Sequence, residues 1–136
     1  MQLHVLSDLH LEFAPFVPPK LDVEVVVLAG DIHVGLKAIP WAKEHFEKST
    51  VVYVLGNHEY YRQAMPRHLR KVKELARMSN VRVLENESLV LGDVVFLGCT
   101  LWTDFELFGN PKVAGYHATQ NMTDYRKIRV DAAPET

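Results

Sequence analysis

The stretch VEVVVLAGDIH, residues 23–33, decides the fold. Its apolar run is Val-rich and nearly continuous. A strand with one wet face would alternate, so this one is expected to be buried on both faces, as in a parallel sheet. Two similar runs stand on either side, LHVL at 3–6 and TVVYVL at 50–55. A helical pattern covers residues 36–48, with Leu36, Ile39, Ala42 and Phe46 on one stripe and Pro40 near its start. A second covers residues 65–78, with Pro66 near its N-terminus and Leu69, Val72 and Ala76 on its apolar side. Strands alternating with helices predict an α/β fold, a parallel or mixed sheet with flanking helices and right-handed crossovers.

After Ser79 the texture changes. VRVLE, SLVLG and VVFLG read as short strands, and the turn Gly92-Asp93 predicts a hairpin over 88–98. From residue 99 regularity fades. That region is expected to be a long loop with one short helix around 124–130, followed by a flexible tail, DAAPET, at 131–136.

Composition narrows the function classes. At 136 residues the chain is one domain's worth, and 48% apolar with 24% charged residues excludes disorder, collagen and coiled coil. Lys+Arg 15 against Asp+Glu 17 argues against a dedicated nucleic-acid or anionic-membrane binder. The basic residues Arg67, Arg70, Lys71, Lys73 and Arg77 read as a solvated helix face interrupted by Glu74. A single cysteine excludes an intramolecular disulfide framework and a Cys-based zinc site, and Cys99 reads as a small buried residue. No signal-peptide pattern is visible and no apolar run approaches a membrane span, so a cytoplasmic protein is the expectation.

Each of the three apolar runs ends in a polar cluster: Ser7-Asp8-Leu9-His10, Gly30-Asp31 and Gly56-Asn57-His58-Glu59. Ligands of open parallel sheets bind at the carboxyl ends of strands, which would bring all three clusters to one edge. In an extended strand, residues two apart point the same way, roughly 6.5–7 Å from each other, so Asp8 and His10 can converge on one cation. Asp31 has two oxygens and can bridge two ions. Gly30 and Gly56 leave room for close backbone approach. Asn57 adds a hard oxygen donor without charge. A mixed oxygen and imidazole set suits Mn, Fe or Zn better than Ca or Mg. For each residue alone, a turn former or a capped polar group is the ordinary alternative.

Asp-x-His, then Gly-Asp, then Gly-Asn-His-Glu, in this order, resembles the calcineurin-like metallophosphoesterase superfamily. The phrases SDLHLE, AGDIH, YVLGNHEYY and GCTLWTDF resemble a bacterial branch of it, and the likeness spans about residues 1–130. The resemblance implies the N-terminal half of a four-layer α/β/β/α sandwich. It implies Asp8, His10 and Asp31 as ligands of a first metal, with Asp31 bridging to a second that Asn57 also holds. It implies that Asn57 and His58 contact the substrate phosphate, and that His58 protonates the leaving group. The nucleophile implied is a hydroxide bridging two divalent ions of Mn, Fe or Zn, and the substrate a phosphate ester.

His33 is a candidate lining residue, and His117 a candidate for recruitment from its loop. His4, His45 and His68 are expected to be surface or half-buried histidines. Tyr60, Tyr61, Trp102 and Phe105 either form a platform beside the site or pack the loop down.

The family pattern continues with further metal-binding histidines, one in a His-rich turn and two in a Gly-His-x-His motif. No Gly-His-x-His occurs in this sequence. The chain is therefore expected to carry a truncated domain over residues 1–130 with one well-held metal site. An uncovered sheet face or edge would favour a homo-oligomer, which light scattering reads directly. The alternative from another class is a phosphoesterase-like module that binds one metal or a partner without turnover.

Overall fold

The computed structural model describes residues 1–131. Its centre is a sheet of four parallel strands: β1 (Leu3–Leu6), β2 (Val25–Ala29), β3 (Thr50–Val54) and β5 (Val81–Val83), in the order β1-β2-β3-β5. Between β2 and β3 runs α1 (Ala38–His45), and before β5 runs α2 (Arg67–Ala76). Both helices are shorter than the apolar pattern predicts. The stretch at 64–65 is a short strand, β4 (Ala64–Met65), and Pro66 caps α2 from outside the helix.

At β2 and β3 both faces of the sheet are covered, which explains the unbroken valine runs there. Val26, Leu28, Val51, Tyr53 and Val81 face Ile39, Ala42 and Phe46 around α1 and Val72 and Ala76 from α2. On the other face, Val25, Val52 and Leu84 pack with Val27, Leu89, Leu91 and Phe96. The last three come from an antiparallel hairpin, β6 (Glu87–Leu91) and β7 (Val94–Gly98). Gly92 turns it with φ of 58°, a conformation that costs a glycine little. The hairpin does not reach β1. Leu3 and Val5, in register with Val25 and Val27, are 46% and 60% exposed.

The region expected to be mostly loop contains a helix, α3 (Pro111–Asn121). Asn110 caps it by accepting a hydrogen bond from the Val113 N–H, and Pro111 occupies the first helical position, where its missing N–H is no loss. Ala118 is its one buried side chain, so no apolar period marked the helix in the sequence. After it, α4 (Asp124–Lys127) leads into β8 (Arg129–Val130), which pairs in parallel with β4. The expected helix at 124–130 is thus half helix and half strand. Asp131 is anchored by its N–H donating to the Met65 carbonyl and by an ion pair with Arg67 at 2.9 Å. The rest of the expected tail, 132–136, lies outside the described residues.

His68 is fully buried on α2 against Tyr60, beyond the half-buried position expected of it. Cys99 is half-buried and lines a groove. Among the described residues no helix is long and apolar enough to cross a membrane.

Candidate metal centre at the carboxyl ends of the strands

The loops after β1, β2 and β3 meet at one edge of the sheet. The first two are laced by backbone hydrogen bonds: Asp8 N–H to Gly30 O, His10 N–H to Asp31 O and Leu11 N–H to Ile32 O, at 2.9–3.0 Å. Asp8, His10 and Asp31 each hold a positive φ, of 53°, 45° and 53°. Left-handed backbone costs an L-residue roughly 1–2 kcal/mol, and it concentrates where side chains must be aimed. These bends, and not the pleat of a strand, make Asp8 and His10 converge; β1 has ended at Leu6.

The donor atoms of Asp8, His10 and Asp31 all lie within 4.8 Å of one another. The His58 N–H donates to Asp31 Oδ1 at 2.9 Å, which leaves Oδ2 facing His10 Nε2 at 4.0 Å. That gap is too long for a hydrogen bond. Two donors each about 2.0–2.2 Å from a shared divalent cation stand up to about 4 Å apart. The Asp31–His10 spacing fits one such cation, and Asp8 stands within 4.8 Å of both as a third donor.

Gly56 makes the close approach possible. A Cβ there would collide with the Asp31 carboxylate and stand 2.7 Å from the Asp31 nitrogen. Beneath the loops sits Glu59, fully buried. Its Oε2 accepts from the Asp31 and Gly56 N–H groups at 3.1 and 2.8 Å, and its Oε1 from the Ile32 N–H and the Tyr53 hydroxyl at 2.8 Å. Burial raises the Glu59 pKa, in opposition to the hydrogen bonds from Tyr53, Ile32, its own backbone and Gly56.

The His58 ring lies between three neighbours. Its Nδ1 is 2.7 Å from Glu12 Oε1, its centroid is 4.2 Å from Tyr61 and 4.3 Å from His10. Glu12 also approaches His10 Nδ1 at 3.4 Å and His33 Nδ1 at 3.9 Å. Burial pushes the Glu12 pKa up, but the hydrogen bonds from His58, its own backbone and His10 outweigh it and hold the carboxyl below its ordinary value. His33 therefore stands beside the site, next to Glu12, and not among the donors around Asp31.

Asn57 lines a groove of about 680 Å³ together with Asp8, Asp31, Thr100, Trp102 and Asp124. Its Nδ2 donates to Asp124 Oδ1 at 2.7 Å, and the Tyr61 hydroxyl donates to the same oxygen at 2.8 Å. Burial, then the Asp124 hydrogen bond and charge, push the Tyr61 pKa to about 12, so the hydroxyl stays a donor. Of the four aromatic candidates, Tyr61 touches His58, Tyr60 is buried in the core, Trp102 lines the groove beside Asn57, and Phe105 lines a neighbouring cavity. His117 is exposed on α3.

Glu12, Glu59 and Asp124 were not among the residues expected from the sequence. Glu12 follows His10 by two inside SDLHLE, and Glu59 closes the Gly-Asn-His-Glu phrase, so both had a local signal. Asp124 stands 67 residues from Asn57 and had none.

The calcineurin-like phosphoesterase family model matches residues 1–132. An uncharacterized protein of Acanthamoeba polyphaga mimivirus is 27% identical over 151 residues, covering 93% of this chain and 51% of that protein. The crystal structure of a phosphopantetheinyl hydrolase from Mycobacterium tuberculosis matches with a TM-score of 0.68 at 18% identity, over 98% of this chain and 56% of that one. At that identity the likeness shows a shared fold. The chain thus spans about half the length of each of these relatives. The strand-end motifs, the sheet that carries them and a family match over almost the whole sequence agree: this chain belongs to the calcineurin-like phosphoesterase family.

Proposed function

We propose that this chain bears the ligand-carrying loops of a metal-dependent phosphohydrolase with a dinuclear centre. The observation that carries the proposal is the convergence of Asp8, His10 and Asp31 donor atoms within 4.8 Å at one sheet edge. Asp8, His10 and Asp31 would hold a first cation, and Asp31 with Asn57 a second. Divalent ions held there would acidify a coordinated water and neutralise the phosphoryl oxygens.

The chain's own residues do the rest. Glu12 only accepts hydrogen bonds, so the His58 nitrogen 2.7 Å from it carries a proton, and Nε2 is left for the phosphate. As an imidazolium, with Nδ1–H held by Glu12 and a second proton on Nε2, His58 would pass the Nε2 proton to the departing ester oxygen as its bond to phosphorus breaks, which neutralises the alkoxide and leaves a neutral ring. Asn57 beside it would orient a phosphoryl oxygen.

A second reading is a binding module holding one metal without turnover. The observation favouring it is that one three-donor group contains Asp31, while Asp31 and Asn57 bring only two donors to a second ion. Hydrolysis of p-nitrophenyl phosphate and of its bis-ester with added Mn²⁺ separates the two. The enzyme reading predicts metal-dependent turnover that falls at least a hundredfold in Asp31→Ala. No turnover on either ester with Mn²⁺, Fe²⁺ or Zn²⁺ would contradict it.

A further inference from the structure

The segment after α3 returns to the site and is fastened there. The Arg62 N–H donates to the Lys127 carbonyl at 2.7 Å, and the Arg129 N–H to the Gln63 carbonyl at 2.9 Å. The β4–β8 pairing and the Arg67–Asp131 ion pair continue the attachment. Lys127 Nζ sits 4.8 Å over the Tyr61 ring. Backbone hydrogen bonds, joined by these two side-chain contacts, therefore fix where Asp124 stands.

From that position Asp124 meets two neutral donors and forms no ion pair among the described residues. A carboxylate only accepts, so the Asn57 atom 2.7 Å from Asp124 Oδ1 must be the amide nitrogen. The single hydroxyl proton of Tyr61 goes to the same carboxylate oxygen. Its oxygen then accepts the second N–H of Asn57, at 3.3 Å. One proton pattern satisfies all three groups. It uses both amide hydrogens of Asn57 and leaves Oδ1 as its one polar side-chain atom without a protein partner among the described residues.

We propose that Asp124 is a positioning residue for the metal centre: it sets the Asn57 amide so that Oδ1, and not the NH₂ group, faces the cation shared with Asp31. The inference rests on the proposed role of Asn57 as a ligand. An amide presented the wrong way round would aim two partial positive charges at a cation, so the orientation decides whether Asn57 binds at all. Groups that orient metal ligands typically change metal affinity by 10–100-fold when removed.

The test uses Mn²⁺ as the probe on the full chain, with Asp124→Ala, Asp124→Asn, Asp124→Glu and Asn57→Ala. In Asp124→Ala the affinity for the second Mn²⁺ is expected to fall about 10–100-fold, with the first within about twofold of wild type. Asp124→Asn is isosteric and can face Asn57 with either amide atom, so it should give a smaller loss. Asp124→Glu should restore part of the affinity. A metal-free readout runs beside this: in apo wild type the Asn57 side-chain amide protons should exchange slowly with solvent, and in Asp124→Ala at least about tenfold faster. Wild-type amide protection and wild-type second-ion affinity in both Asp124→Ala and Asp124→Asn would overturn the inference. So would equal loss of both ions, which would mark a general structural role. If Asn57→Ala weakens the second ion and the Asp124 variants do not, this inference alone fails. If Asn57→Ala changes nothing, Asn57 is not a ligand and both fall.

Discussion

The Glu59 carboxylate is fully buried and accepts four hydrogen bonds, three of them from backbone N–H groups of the loops after β2 and β3. Glutamine at this position has one acceptor oxygen and an NH₂ that would face at least one N–H donor. Each orphaned buried donor costs about 1–3 kcal/mol. Glu59→Gln is therefore expected to lower unfolding free energy by about 2–4 kcal/mol, measured by urea denaturation. A change within about 0.5 kcal/mol would contradict the role assigned here, since surface substitutions stay in that range. At this scale the sequence was informative about residue types and poor about their geometry. Asp8, His10, Asp31, Asn57 and His58 stand out as candidates because carboxylates, imidazoles and glycines recur at three successive strand ends. The geometry differs from the expected strand pleat: the backbone at Asp8, His10 and Asp31 is left-handed, and φ leaves no mark on a one-letter code. Glu59 stands in the Gly-Asn-His-Glu motif with no role of its own in the sequence reading, because glutamate is normally solvated and a buried one is recognised only once its donors are in place.

Among the elements, the parallel strands were legible because cores on both faces demand unbroken apolar runs. The hairpin was legible from Gly92-Asp93. By contrast, α3 buries little and β4 with β8 contribute two residues each, too few for any periodicity. Their placement comes from the Asn110 cap and from long-range pairing. Helix α2 carries a consequence of its own. His68 is fully buried beside Tyr60, and neither ring nitrogen has a hydrogen-bond partner among the described residues. Burial lowers its pKa below the ordinary histidine value. The unfolded chain then takes up the proton first as pH falls. The contribution of neutral His68 to stability is intact above about pH 6.5 and is lost as pH drops toward the depressed folded value. The urea midpoint is expected to fall between pH 7.5 and 5.5, and to fall less in His68→Leu. Equal slopes for the two proteins would show that His68 is not the group responsible.

For the molecule as a whole, one sheet delivers three loops to one edge, and an arm from the end of the described chain closes over the third. Leu3, Val5, Leu97 and Leu101 are 46%, 60%, 82% and 86% exposed. The chain matches 51% of the viral protein and 56% of the mycobacterial hydrolase. Half a relative's length is enough to build the Asp8–His10–Asp31 donor group, because these three residues lie in the loops after β1 and β2, within the first 31 residues. Strand β3 and the turn after it supply the buried support for that edge, through Tyr53 and Glu59. A phosphohydrolase role for this chain requires that edge to take a divalent cation. Titration of Mn²⁺ into the full chain, followed by the electron paramagnetic resonance signal of free Mn²⁺, measures this directly. The prediction is that wild-type protein removes the free-ion signal at stoichiometric addition and that Asp31→Ala, folded by circular dichroism, leaves it in place. A wild-type titration indistinguishable from buffer, or an Asp31→Ala protein that binds as wild type does, would contradict it.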